Sequence, residues 1–497
     1  MSYPSLYEIN TRVWLSDLSR RLGRRATLQD IPDQLLDEIV AHGFDYVWFL
    51  GVWQTGPAGR AVSLAHPGWL EEYRRTLPDF SDADVSGSPF AIQRYALHSD
   101  FGRPEDLAAL RDRIHARKLK LILDFVPNHT AMDHPWVEKR PEFYVHGTPD
   151  DLAREPQNYR RVKTFSGEHI LAHGRDPYFP AWPDTLQLNY RHPKLRAGMV
   201  DELLAIAKLA DGVRCDMAML ILPEVIARTW GERTWLADGA PPVDDAFWPT
   251  AIRQVRQANP GFLFMAEVYW DLEWTLLQQG FDFTYDKRLY DRLHAQDAVE
   301  VHSHLRAEMA FQRRSIRFLE NHDEPRAASA FPQEVHRAAA IISFLVPGMR
   351  FFHEGQLEGR GTRVSMHLGR RQEEPLDEQL RSFYLRLLEC LKRPELREGT
   401  WQLLECRPAW DGNLTWERFI AFLWVDARAV VLVTVNYGPG HGQCYVPLPS
   451  NLKGCRYLLH DLLGSARYER NGDELTTRGF YLDIPAWEFH VFEIVSL

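Results

Sequence analysis

Over the first three-quarters of the chain, short apolar runs alternate with stretches in which apolar residues recur every three or four positions. The runs YEINTRVWL (7–15), FDYVWFLGVW (44–53), LKLILDFV (119–126), DGVRCDM (211–217), FLFMAEVYW (262–270), FDFTYD (281–286), SIRFLENHD (315–323) and MRFFHEG (349–355) have the length and composition of buried strands. Between them, PDQLLDEIVAHG sets Leu35, Leu36, Ile39 and Val40 on one helical face, and PEDLAALRDRIHARK does the same with Leu107, Leu110 and Ile114. Alternation of this kind predicts a parallel sheet covered by helices, and eight such units predict closure into a barrel. Two long excursions interrupt it. Residues 54–90 are rich in Gly, Pro and Ser, and residues 130–183 in Pro, His and Tyr. They follow the second and third runs, at the strand ends where barrels build binding surface. From about residue 400 the texture changes to runs such as RFIAFLWV, AVVLVTVNY and EFHVFEIV, separated by turn residues, which predicts an all-β sandwich. The expected organisation is a barrel over 1–129 and 184–399, an inserted unit over 130–183 and a β-sandwich over 400–497.

Four of the runs end abruptly in charge or imidazole: LILDFVPNH, DGVRCDM, FMAEVYW and FLENHDEPR. In a parallel barrel all strands end on one face, so Asp124, His129, Arg214, Asp216, Glu267, His322 and Asp323 are expected to converge. Period-two alternation sends Cys215 the other way, into helix packing. Composition narrows the partners. The net charge of −10 over 497 residues argues against a nucleic-acid binder. No apolar run reaches the length of a membrane span, and MSYPSLYEINTRVWL lacks the form of a secretory leader. Five scattered cysteines with no CxxC pair fit reduced thiols in the cytosol. Sixteen tryptophans are ample for gripping flat ligand faces.

These segments resemble the conserved regions of the α-amylase family of glycoside hydrolases. DGVRCD matches D-G-x-R-x-D at strand four, the Glu of FMAEVYW matches the strand-five acid, and FLENHDEPR matches the strand-seven form. DFVPNH, DTLQLN (184–189) and PGMRFFHEGQ are similar to the remaining regions and fall in the family's order. The resemblance implies a (β/α)8 barrel, a small B domain after strand three and a C-terminal β-sandwich. It also implies roles: Asp216 as nucleophile, Glu267 as general acid/base and Asp323 as transition-state stabiliser. Arg214 would keep Asp216 ionised, while the apolar neighbours Ala266 and Val268 would lift the Glu267 pKa by desolvation. Asp124, His129, His322, Tyr95, Phe90 and Arg326 are the expected substrate contacts, with Phe90 as the sugar platform and Trp53 as a further candidate for the same cleft.

The chain also departs from the family. Asn128 matches one ligand of the structural calcium these enzymes commonly hold, but the acidic ligand is replaced by Gln187, and an amide is the weaker donor. The chemistry itself needs no cofactor. The Lys-His pair that often follows the nucleophile is Met219-Leu220, the strand-eight G-Q-E reads Gly355-Gln356-Leu357, and the strand-two proline is missing. The expected activity is retaining hydrolysis of α-glucosidic bonds, chiefly α-1,4, in maltooligosaccharides or α-glucan. A glucanotransferase of the same mechanism, a non-catalytic amylase-like scaffold and an unrelated metal-using barrel are the competing readings.

Overall fold

The computed structural model describes residues 3–497. Eight parallel strands close into a barrel: β1 (Ser5–Asn10), β2 (Tyr46–Leu50), β3 (Lys120–Phe125), β4 (Gly212–Cys215), β5 (Leu263–Ala266), β6 (Phe283–Tyr285), β7 (Ser315–Arg317) and β8 (Met349–His353). Each strand pairs with its sequence neighbours, and β8 returns to β1 with Ser5 opposite Arg350. The strands are apolar on both faces because one face fills the barrel and the other meets helices; Leu121, Ile122 and Leu123 are wholly buried. The two patterns form helices over Asp33–Ala41 and Pro104–His115, with Leu36, Ile39, Leu107, Leu110 and Ile114 turned inward, but Val40, expected on the same face, is 37% exposed because it lies at the end of the helix's buried stripe.

One expectation fails at the start of the chain. The apolar run 7–15 is not a single strand: it breaks after Asn10 into a helix over Thr11–Leu22. The Asn10 side chain accepts from the Val13 N–H and caps that helix, a local bond that competes with continued extension.

The excursion after β2 contains two short helices, Pro57–Ala65 and Pro67–Thr76, each opened by proline in its first turn. The one after β3 contains an antiparallel hairpin, Tyr159–Thr164 with Gly167–Ala172. It is closed at its base where His129–Ala131 pairs with Thr185–Gln187. Beyond Thr400 all ladders are antiparallel, in one six-stranded and one three-stranded sheet. This β domain is fastened to the barrel's helical layer by Trp424 Nε1, which donates to Leu345 O at 2.7 Å, and by the Tyr437 hydroxyl, which donates to Leu293 O at 2.6 Å. Among the described residues no helix is long and apolar enough to cross a membrane.

Candidate active site

Register sets the site. Arg214 on β4 lies opposite Asp124 on β3, and Cys215 lies opposite Ala266 on β5. The residues that follow β4 and β5, Asp216 and Glu267, therefore leave the barrel side by side. Arg214 joins them from below: Nη1 donates to Asp216 Oδ1 at 2.7 Å, and Nη2 lies 2.7 Å from Glu267 Oε2. The guanidinium is fully buried and sits 5.2–5.9 Å from the ring centres of Phe90, Trp48 and Tyr285. Aromatic faces favour a cation that water cannot reach.

The backbone turns sharply after Asp216. Met217 adopts a left-handed conformation, φ +40°, and its N–H donates to Glu267 Oε2 at 2.8 Å. Two residues beyond Glu267, on the same face, the Tyr269 hydroxyl donates to Glu267 Oε1 at 2.9 Å. Asp323 arrives from the turn after β7, which Asn321 holds by accepting from the Asp323 and Glu324 N–H groups, both at 2.9 Å. His322 stands behind it, Nε2 3.0 Å from Asp323 Oδ2 and Nδ1 2.5 Å from Glu8 Oε1 on β1. The Asp323 side chain is 43% exposed and opens into the cleft.

These contacts separate the three acids. Burial pushes Glu267 up to about 7, with Arg214 pulling down and Asp216 and Asp323 pushing further up. Burial also raises Asp216, against the opposing pull of Arg214. For Asp323 desolvation is outweighed by the adjacent His322, which holds the carboxyl at about 2. Burial opposes the charge on His322, yet Asp323 and Glu8 together lift it to about 10, so it is an imidazolium at neutral pH. The arrangement thus offers a carboxyl that keeps its proton near neutrality beside one that is firmly ionised, the pair of states that acid/base chemistry requires.

Above the acids lies a cleft of about 640 Å³, whose wall includes Phe90, His129, Trp182 and Asp184 as well as Asp216, Glu267 and Asp323. A second cavity of about 660 Å³ shares Asp176, Phe179, Met217 and Tyr269 with it and runs outward past Trp270. His129 is held neutral by burial, its pKa drawn down to about 3.

Of the expected site residues, the structure brings Asp216, Glu267, Asp323, Phe90 and His129 to the cleft, with Arg214 and His322 directly behind them. Four others do not reach it. Asp124 is level with Arg214, deeper in the barrel than Asp216; its oxygens accept from Trp48 Nε1 (3.1 Å) and the Gly51 N–H (2.7 Å). Gly51 has φ +75°, and a Cβ there would stand 2.7 Å from Pro89, so glycine lets the backbone pass under the Phe90 loop. Trp53 is buried and donates to Asp124 O. The Tyr95 hydroxyl is taken up by the Val126 backbone, donating to its O at 3.1 Å and accepting from its N–H at 2.9 Å. Arg326 is 2% exposed and bound to Glu320, His353 and Glu354 O.

The calcium expected from family resemblance does not fit the donors present. Asn128 Nδ2 donates to Gln187 Oε1 at 3.1 Å, and Gln187 Nε2 donates back to Asn128 Oδ1 at 2.9 Å and Asn128 O at 3.0 Å. This neutral amide pair satisfies itself where a hard cation needs about 6–8 oxygens, carboxylates among them.

The sequence reading missed Tyr269, Glu8 and Trp182. Tyr269 is two positions from Glu267, so strand periodicity alone would have turned both the same way. Glu8 is the lone acid within the apolar run of β1. Trp182 carries no such signal.

Residues 90–382 match the family model for the alpha amylase catalytic domain. The chain is 27% identical over 386 residues to alpha-amylase MalA of Haloarcula japonica, covering 76% of this chain and 47% of that protein. It is 24% identical over 287 residues to alpha-amylase 3 of Dictyoglomus thermophilum, covering 53% and 52%. The matches thus span about half the length of these relatives. Among solved structures, a noncanonic maltogenic alpha-amylase, AmyB, from Thermotoga neapolitana superposes with a TM-score of 0.69 at 17% identity over 99% of both chains, a likeness of fold.

Proposed function

The chain belongs to the alpha-amylase catalytic-domain family, and on that premise we propose that it is a retaining glycoside hydrolase acting on α-glucosidic bonds, chiefly α-1,4, of maltooligosaccharides. The carrying observation is that one buried guanidinium reaches both Asp216 and Glu267, each at 2.7 Å. Two carboxyls tied to one fork favour the short spacing of about 5–5.5 Å of retaining enzymes over the wider gap of inverting ones. Asp216 attacks the anomeric carbon as the glycosidic bond breaks, and Glu267 gives its proton to the departing oxygen. A water then yields a proton to Glu267 and its oxygen to the anomeric carbon, which frees Asp216. The anionic Asp323 stabilises the oxocarbenium-like transition states while Phe90 offers a face to the sugar ring. The Asn128–Gln187 clasp supports a reading in which this chemistry proceeds without calcium. Transfer to a sugar rather than water has one observation in its favour, the exposed Tyr178 and Phe179 beside the outward cavity, which could stack an acceptor.

Proton NMR of the first sugar released from maltotriose tests the mechanism. The α-anomer is expected before mutarotation; a β-anomer would exclude a glycosyl-enzyme on Asp216.

A further inference from the structure

The two ends of the cleft are built differently. On one side, the excursion after β2 and the segment after β8 are joined. The Ser86 and Gly87 N–H groups donate to His367 O at 2.8 and 3.2 Å, and Gly369 N–H donates to Asp84 O at 2.8 Å. Arg370 holds both oxygens of Asp84, at 2.6 and 2.9 Å. Behind this joint Tyr73, Leu77, Val85, Val364 and Leu368 form a small core of their own. Its cleft-facing surface carries two locks. The Trp69 ring is stacked between His66 and His367 at 4.2 Å each. Arg363 Nη2 donates to Glu72 Oε1 at 2.6 Å, while its Nη1 reaches Asp323 O at 3.4 Å. On the other side, beyond Tyr269 and Met217, the space continues into the second cavity, where Phe179 is 67% exposed.

The chemistry orients a substrate between these ends. Glu267 protonates the leaving oxygen, so the leaving group lies on the side of its partners Tyr269 and Met217, which is the open side. The sugar under attack sits over Asp216 and Asp323. A chain extending past that sugar, toward its non-reducing end, meets Arg363, Glu72, Trp69 and His367.

We propose that the Glu72–Arg363 bridge and the Trp69–His367 stack wall off the non-reducing side of the cleft, so that the protein removes glucosyl units from free chain ends and does not cut internal bonds. The inference rests on the hydrolase reading above and narrows its substrate to short oligosaccharides with an unblocked non-reducing terminus. Residues in two separate excursions thereby determine specificity without taking part in bond cleavage.

The test compares nitrophenyl maltoheptaoside with the same compound carrying an ethylidene cap on its non-reducing end, products being separated by chromatography. The wild-type chain is expected to turn over the capped compound at least about 100-fold more slowly than the free one. In the double variant Glu72→Ala/Arg363→Ala the capped-to-free rate ratio should rise about tenfold or more. The charge-exchanged pair Glu72→Arg/Arg363→Glu should bring it back toward the wild-type value. The ratio cancels any general loss of turnover in a variant, and the wild-type comparison needs no variant at all. Comparable cleavage of both compounds by the wild-type chain overturns this proposal and leaves the hydrolase reading standing. An unmoved ratio in the double variant overturns the assignment to these residues. Turnover of neither compound overturns both readings.

Discussion

Two clusters of buried charge stand at the mouth of the same barrel, made from the same kinds of side chain. In one, Asp216, Glu267 and Asp323 share Arg214 and His322. In the other, Glu320, Glu354 and Asp17 meet Arg326, Arg371 and His353. The second is balanced. Burial works to raise Glu354, but Arg371 and Arg326 outweigh it and hold the carboxyl at about 2; Glu320 is likewise lowered, Arg326 overcoming its desolvation. Neither Glu354 nor Glu320 retains a proton near neutrality. The first cluster is short of cations and opens on a cavity, and burial leaves Glu267 at about 7 and Asp216 raised. A surplus of acid beside an open space marks chemistry, whereas full pairing in a closed space marks structure.

The largest predicted effect breaks the first cluster. Asp216→Asn should lower turnover of maltooligosaccharides by roughly 10⁴-fold or more, as loss of a covalent nucleophile does, with the circular dichroism spectrum unchanged. Glu354→Gln should do the reverse. It removes the carboxylate that Arg371 Nη1 holds by both oxygens at 2.6 Å and leaves that buried guanidinium with Asp17 alone, at a cost of about 3–5 kcal/mol, so calorimetry should show a lower unfolding temperature while kcat at 25 °C stays close to wild type. A pH–rate profile sharpens the contrast. Glu267 must be protonated to act as an acid, so kcat/KM should fall as pH rises through about 7. Asp216 must be ionised, so the acid limb should lie above the ordinary carboxylate range, both limbs belonging to the coupled pair. In Glu267→Gln the alkaline limb should vanish. The smallest effect expected is none: excess chelator should leave both the unfolding temperature and turnover unchanged, because the amide pair of Asn128 and Gln187 does the joining that calcium would do. A fall in either that calcium restores would refute this.

The strands were legible because burial on both faces makes most of them short, largely apolar runs, and Asp216 and Glu267 were legible because each directly follows such a run. Depth along the strand was not. Asp124 ends an apolar run as plainly as Asp216 does, yet the β3–β4 register sets it beside Arg214, under the floor. Arg326 lies three residues past Asp323, but the chain has turned by then and sends it into the balanced cluster. Tyr95 and Trp53 had polar tips that a site could use, and the backbone of Val126 and Asp124 uses them first. Trp69, Glu72 and Arg363 lie in excursions without periodicity, where meeting a partner 291 residues away leaves no local trace.

The ion pair between His322 and Glu8 spans 314 residues of sequence. Glu8 belongs to β1, the first strand of the barrel, and His322 follows β7, so the two meet only through the closing of the barrel. While β1 has not joined β8, the His322 imidazolium lacks the Glu8 carboxylate that helps to hold its charge. The electrostatic setting of Asp323 is thus complete only once the barrel's seam has closed.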